Sequence, residues 1–237
     1  MIIIDKKKIL MLILGMFCFS ALLFANMNRV EETVLTSATP VASKVIALDA
    51  GHGKPDEGAE GANGTTEEKT NLEITLKVQK LLEESGATVL LTRSDENGIY
   101  DVDKTTLREM KVSDIKNRVT IENESGADIL VSIHLNKGDS SKYTGWQTFY
   151  RKDDENGKRL AINIQDSLKE TIKTDNKRTA HEISGVYLVD HSKIPVAIVE
   201  CGFLSNPQEE QKLQTEEYQN ELAWGIYLGI LNYFNES

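Results

Sequence analysis

Four short segments each place a histidine or a glutamate beside an apolar run: VIALDAGHG at His52, TTEEKTN around Glu67, DILVSIHLN at His134 and VAIVECGFLSN at Glu200. Two imidazoles and one carboxylate are the donors zinc takes when its fourth position must stay open for water. A further glutamate nearby is the acid or base that such a hydrolysis needs. The chemistry on offer is metal-assisted hydrolysis.

Each residue also has an ordinary reading. His52 lies in DAGHG, where Gly51 and Gly53 permit a tight turn off a strand and leave room beside the ring; it could equally be a turn histidine bonded to backbone. Asp49 is placed to orient an imidazole or to cap the turn. Ser132, His134 and Asn136 alternate onto one face of their strand, and a histidine buried there needs a partner, either a metal or a core polar group. Glu67 and Glu68 compete for the carboxylate position. Glu67, Asn71, Ile74, Val78 and Leu82 recur at helical steps, whereas Glu68 is turned about 100° away, so the stripe favours Glu67. Both would also suit the positive end of a helix without any metal. Glu200 ends the run IPVAIV and reads as general base or as a strand-end salt bridge.

Cys201 offers a rival chemistry, a thiol nucleophile assisted by histidine. Strand alternation turns it away from Glu200, which favours a buried core thiol. His181 and His191 lie among polar residues in expected loops and read as solvent-exposed or substrate-edge residues. Arg93 and Arg118 could fork onto a substrate carboxylate, although salt bridges are the commoner use.

Short β-branched runs alternate with helical periods, the pattern of one α/β domain with a central, mostly parallel, twisted sheet of about five or six strands and helices on both faces. The strands expected are Val45–Leu48, Thr88–Thr92, Asp128–His134, Trp146–Tyr150 and Val196–Glu200, with a short one at Val186–Val189. Helices are expected over residues 67–85, along Leu160, Ile164, Leu168 and Ile172, and along Leu222, Ile226, Ile230 and Tyr233. In open α/β sheets the working site lies at the carboxyl ends of the strands. His52, His134 and Glu200 would meet on that edge.

Residues 1–25 carry three lysines and then an uncharged apolar run, which reads as a signal peptide or an uncleaved signal anchor; residues 26–43 read as a linker and 44–237 as the catalytic domain. A lipid anchor on Cys18 would want a small residue before it, and Phe17 stands there. The domain is therefore expected outside the cell, attached to a membrane only through an uncleaved leader. The formal net charge is −10, and without residues 1–25, which carry three lysines against one aspartate, it is −12. So acidic a body does not suit nucleic acid. With Cys18 in the leader, Cys201 has no internal disulfide partner, and stability must come from packing.

DAGHG, EEKTNL, SIHLN and VECGFLSN together resemble the zinc-dependent N-acetylmuramoyl-L-alanine amidase family (Amidase_3) from about Val45 to Phe234. The family pattern is a DPGHG turn, Glu-Lys followed by Asn-Leu, Ser-x-His-x-Asn, and Val-Glu-x-Gly-Phe-x-Ser-Asn. The resemblance implies zinc ligation by His52, Glu67 and His134, with Glu200 as catalytic acid/base. Ala50 stands where the family has proline. Glu68 stands where it has lysine, and counting back four from Asn71 returns Glu67. The chain is also similar to the CwlD-like sporulation and germination branch, which has a leader and one catalytic domain without wall-binding repeats. That branch is implicated in forming muramic δ-lactam in spore cortex. The implied substrate is the amide between N-acetylmuramic acid and L-alanine in peptidoglycan. Without a wall-binding repeat, a partner protein that localises or activates the domain is a further expectation. The alternatives are a thiol hydrolase using Cys201 and a non-catalytic peptidoglycan-binding protein.

Overall fold

The computed structural model describes residues 15–21 and 39–236. Most of the expected leader and linker, residues 1–14 and 22–38, lies outside the described residues. The chain divides into two units, Met1–Thr39 and Pro40–Ser237. In the first, residues 15–21 form an exposed helical segment. Among the described residues no helix is long and apolar enough to cross a membrane.

The second unit runs β1 Val45–Ala50, α1 Glu67–Glu84, β2 Thr88–Leu91, α2 Leu107–Glu124, β3 Ile129–Asn136, β4 Gln147–Arg151, α3 Glu155–Thr171, β5 His181–Ile183, α4 Tyr187–His191, β6 Val196–Phe203, α5 Pro207–Leu213 and α6 Glu216–Asn235. Val41 is fully buried in its core, so the folded body starts upstream of Lys44. The six strands form one sheet in the order β2-β1-β3-β6-β4-β5. β2, β1, β3 and β6 are parallel, β4 is antiparallel to β6, and β5 is parallel to β4. The mostly parallel sheet expected from the pattern is present.

Strand alternation divides the interior in two. Ile129, Val131, Ile133 and Leu135 of β3 pack with α1, α3 and α6 in the larger core, and Leu130 packs with Val119 of α2 and Leu188 of α4 in the smaller one. The even-numbered face of β3 and β6 therefore carries both Leu130 and His134, and both Ile198 and Glu200. Cys201 lies on the opposite face, in the larger core.

Four elements depart from expectation: β5 and α5 form where neither was expected, and α4 and α2 differ as follows. The run Val186–Val189 is not a strand; Tyr187–His191 forms a single helical turn. Its Leu188 and Val189 seal the smaller core, and Gly185 N donates to Asp190 Oδ2 at 2.9 Å to close the turn. Helix α2 carries no usable apolar stripe, because its buried residues are Ser113, Arg118, Val119 and Glu122. Its sequence signal was the capping box, in which Thr106 and Glu109 satisfy each other's backbone amides.

Glu122 makes that polar face sensitive to pH. Both carboxylate oxygens are buried without a hydrogen-bond partner, and burial pushes the group up to about 7, with Asp49 adding to the rise and Ser192 and Arg151 opposing it only in part. A carboxyl group held above its unfolded value keeps its proton longer when folded, so stability falls as pH rises from 4.5 towards 7. Glu122→Gln is expected to raise Tm at pH 8 by about 2–4 °C, the response of a domain this size to ~1 kcal/mol. At pH 4 it should change nothing. Melts at the two pH values check this, and an equal shift at both would contradict it.

Candidate metal centre

The DAGHG turn is built from beneath by buried cations. β1 ends at Ala50, and His52 follows with φ 62°, in the left-handed region that costs a side chain strain unless its surroundings hold it there. Arg118 of α2 holds it, donating to the carbonyls of Ala50 and His52. Arg93 donates to the carbonyls of Ala50 at 2.8 Å and Gly51 at 3.0 Å. Both guanidinium groups thus brace backbone and are buried, at 4 % and 1 % exposure, so neither is open to a substrate carboxylate. Asp49 does not orient an imidazole. Its carboxylate takes Arg118 Nη1 at 2.6 Å, Thr92 Oγ1 at 2.7 Å and Ser132 Oγ at 2.6 Å. Burial would raise its pKa, but the Arg118 charge and these donors hold it well below the usual carboxylate range.

The residue that orients His52 is Asp56, which the sequence reading did not identify. His52 Nδ1 lies 2.9 Å from Asp56 Oδ2, and Lys111 Nζ lies 2.8 Å from Asp56 Oδ1. Despite partial burial, the His52 and Lys111 contacts keep Asp56 ionised, so the ring nitrogen must donate and Nε2 is left facing inward. Asp56 is only four residues from His52, in the KPDEG turn. An acidic residue that soon after a turn histidine was the available signal.

Glu67 is the first residue of α1, and its carboxylate is almost wholly buried. Oε1 lies 3.3 Å from His52 Nε2 and 3.0 Å from His134 Nδ1, and it accepts from Leu135 N at 3.1 Å. Oε2 accepts from Ala59 N at 2.8 Å. Glu68 points elsewhere, with Oε1 taking Thr66 Oγ1 at 3.3 Å. His134 lies two residues inside the end of β3, beside a break in register before Asn136. The two rings stand edge to face with centroids 5.1 Å apart. One donor atom from each of His52, Glu67 and His134 falls within 4.8 Å of the others. Against the effect of burial, the ionised Asp56 and Glu67 stabilise the protonated His52 ring and raise it to about 9.

Glu200 completes the row. Its Cα pairs with that of His134 across β3 and β6, which puts the two side chains on one face of the sheet. Its Oε2 is enclosed without a partner, and burial lifts the group to about 7, with the histidines pulling down and Glu67 pushing up. Cys201, next to it, is fully buried and burial pushes its thiol far up, so it has neither the access nor the thiolate character of a nucleophile. His181 and His191 are exposed, the latter stacked on Tyr187 at 3.9 Å. Two imidazole nitrogens and a carboxylate oxygen, converging from three elements beside a buried and unpartnered carboxylate, suit a zinc ion with an open position.

The fold and this donor set define a three-layer α/β protein with a His–Glu–His cluster at the strand ends. The chain belongs to the N-acetylmuramoyl-L-alanine amidase family (Amidase_3), which matches residues 46–232. It is 36 % identical over 231 residues to the germination-specific N-acetylmuramoyl-L-alanine amidase of Bacillus subtilis, covering 98 % of this chain and 96 % of that one. Among solved structures it is similar to the CwlD amidase from Clostridioides difficile in complex with the GerS lipoprotein, with TM-score 0.80, 43 % identity, 82 % of this chain and all of that one. The catalytic domain of CwlV, an amidase from Bacillus (Paenibacillus) polymyxa, matches with TM-score 0.69 and 31 % identity over 82 % of this chain and 99 % of that one.

Proposed function

We propose that this protein is an exported, zinc-dependent amidase in which His52, Glu67 and His134 hold the metal and Glu200 is the general acid and base. The reaction is hydrolysis of the amide between the lactyl group of N-acetylmuramic acid and L-alanine. The observation that carries the reading is the convergence of the three donors within 4.8 Å, with Glu200 in register beside His134. Bound zinc supplies a Lewis acid for the amide carbonyl and lowers the pKa of water.

The protein's own residues do the rest. Asp56 fixes the His52 tautomer, and the backbone amides of Ala59 and Leu135 fix the Glu67 carboxylate. Glu200 takes a proton from the attacking water and returns it to the alanine nitrogen as the C–N bond breaks, leaving a lactyl carboxylate and a free peptide amine. A carboxyl that burial lifts to about 7 is placed for both transfers, and a cation held by the three donors would draw it towards the base form. Likeness to the germination-specific relative supports a role on spore cortex. The lipoprotein complex of the C. difficile relative supports a membrane-attached protein partner.

Chelation is expected to abolish activity and zinc to restore it, while thiol alkylation leaves it intact. Activity that survives complete chelation would overturn the metal reading.

Gly51 gives a second check. A Cβ there would stand 2.3 Å from His134 Cε1 and Nε2. Gly51→Ala is expected to displace the ring, weaken zinc binding by about 10–100-fold and cost about 1–3 kcal/mol of stability. Competition with a chromophoric chelator reads the first effect, and unchanged affinity would contradict it.

A further inference from the structure

Two adjacent glutamates at the start of α5 bond the backbone segments that lead to Glu67 and to Glu200. We propose that Glu210 is the positioning residue for Glu67, and Glu209 the positioning residue for Glu200. The inference rests on the reading of His52, Glu67 and His134 as ligands and Glu200 as acid/base.

Helix α5 starts four residues after β6, and its capping is done by Asn206, whose Oδ1 takes Gln208 N at 3.0 Å and Glu209 N at 3.1 Å. The two glutamates are not needed as caps. Both are nonetheless buried, at 6 % exposure for Glu209 and 0 % for Glu210, and burying a carboxylate is costly unless donors meet it. Neighbours on a helix point about 100° apart, so one turn can serve two separate segments.

Glu210 serves the loop that delivers Glu67. Its Oε1 accepts from Asn63 N at 2.9 Å and Thr65 N at 3.3 Å, and its Oε2 accepts from Asn63 Nδ2 at 2.9 Å. That loop is closed by Gly61 N on Thr65 O at 2.9 Å, and Thr66 then leads directly into α1, whose first residue is Glu67. Upstream of it, Ala59 exchanges bonds with Glu67 at both backbone and carboxylate. The Glu210 carboxylate thus sits inside the segment whose two ends define where Glu67 stands. A Cβ on Gly61 would fall 2.2 Å from Glu210 Oε1, so the space for this contact depends on glycine.

Glu209 serves the strands that deliver Glu200. Its Oε1 accepts from Gly145 N at 2.5 Å and its Oε2 from Phe203 N at 2.9 Å. Phe203 ends β6 three residues after Glu200, and Gly145 leads into β4, whose Gln147 is the register partner of Glu200. One carboxylate joins the two backbones that flank the acid/base. Charge-assisted bonds of this kind hold geometry more tightly than neutral ones.

A crossed measurement tests the division. Zinc affinity is read by chelator competition, kcat and KM on peptidoglycan fragments at saturating zinc, and folding by thermal melts. Glu210→Ala and Gly61→Ala are expected to weaken zinc binding by about 10–100-fold and to regain normal kcat once zinc saturates. Glu209→Ala is expected to keep zinc affinity and to lower kcat at saturating zinc by about 10–100-fold, the effect of a small misplacement of the reacting group. Glu210→Gln keeps an acceptor for the backbone amides and should recover most of the lost affinity. Equal movement of both readings in both variants, or a lowered Tm with neither reading moved, would overturn the proposal. Glu67→Ala and Glu200→Ala run alongside as controls. If they fail to separate zinc affinity from kcat, the underlying site reading falls, and this proposal with it.

Discussion

Glu200→Gln is expected to lower kcat by about 10²–10⁴-fold, the usual worth of a positioned acid/base, while zinc content stays at that of the wild type. The amide has nearly the carboxylate's size, so the row on β3 and β6 is kept, but it can neither take the water's proton nor give one to the alanine nitrogen. The buried Oε2 of Glu200 has no partner that would be orphaned by the change, so stability should hold or rise. Metal analysis and steady-state kinetics on muropeptides read the two arms. A variant that keeps near-normal kcat would remove Glu200 from the chemistry. One that loses its zinc would make it a ligand instead.

Arg118→Met carries the largest expected loss of stability, about 3–5 kcal/mol for removing one partner of a buried ion pair. Arg118 is 1 % exposed and sits 2.6 Å from both Asp49 and Asp114. Its loss strands the Asp49 carboxylate in the sheet and removes the donor to the His52 carbonyl. The strained His52 turn then has less to hold it, so activity should fall even in the fraction that stays folded. Adding Asp49→Asn should return part of the stability, because the uncompensated charge is gone, without returning activity. Denaturant unfolding reads the first effect. A cost under about 1 kcal/mol would show that the pair is not the anchor described.

The legible part of this chain was the part governed by short periods. Alternation placed β1, β3 and β6 and turned His134 and Glu200 to one face and Cys201 to the other. The helical stripe pointed to Glu67, whose carboxylate meets both histidines, whereas Glu68 turns aside. What stayed hidden was polar and tertiary. Helix α2 buries Arg118 and Glu122 where a pattern search looks for apolar residues. Asp49 looked like the partner of an imidazole because it lies three residues from His52, but in a strand it points into the sheet and meets Arg118. Asp56 takes that role from across a turn whose shape no periodicity encodes. The short run Val186–Val189 has strand composition, yet Leu188 and Val189 are needed to close the smaller core as one helical turn.

The central claim is that this site breaks the bond between muramic acid and L-alanine. Its most direct test is mass spectrometry of peptidoglycan digested by the zinc-loaded protein, with Glu200→Ala as control. The predicted products are intact stem peptides with a new amino-terminal alanine, together with glycan strands bearing free lactyl carboxylates, both absent with Glu200→Ala. Cleavage within the stem peptide or between sugars, or the same products from the Glu200→Ala protein, would contradict the account.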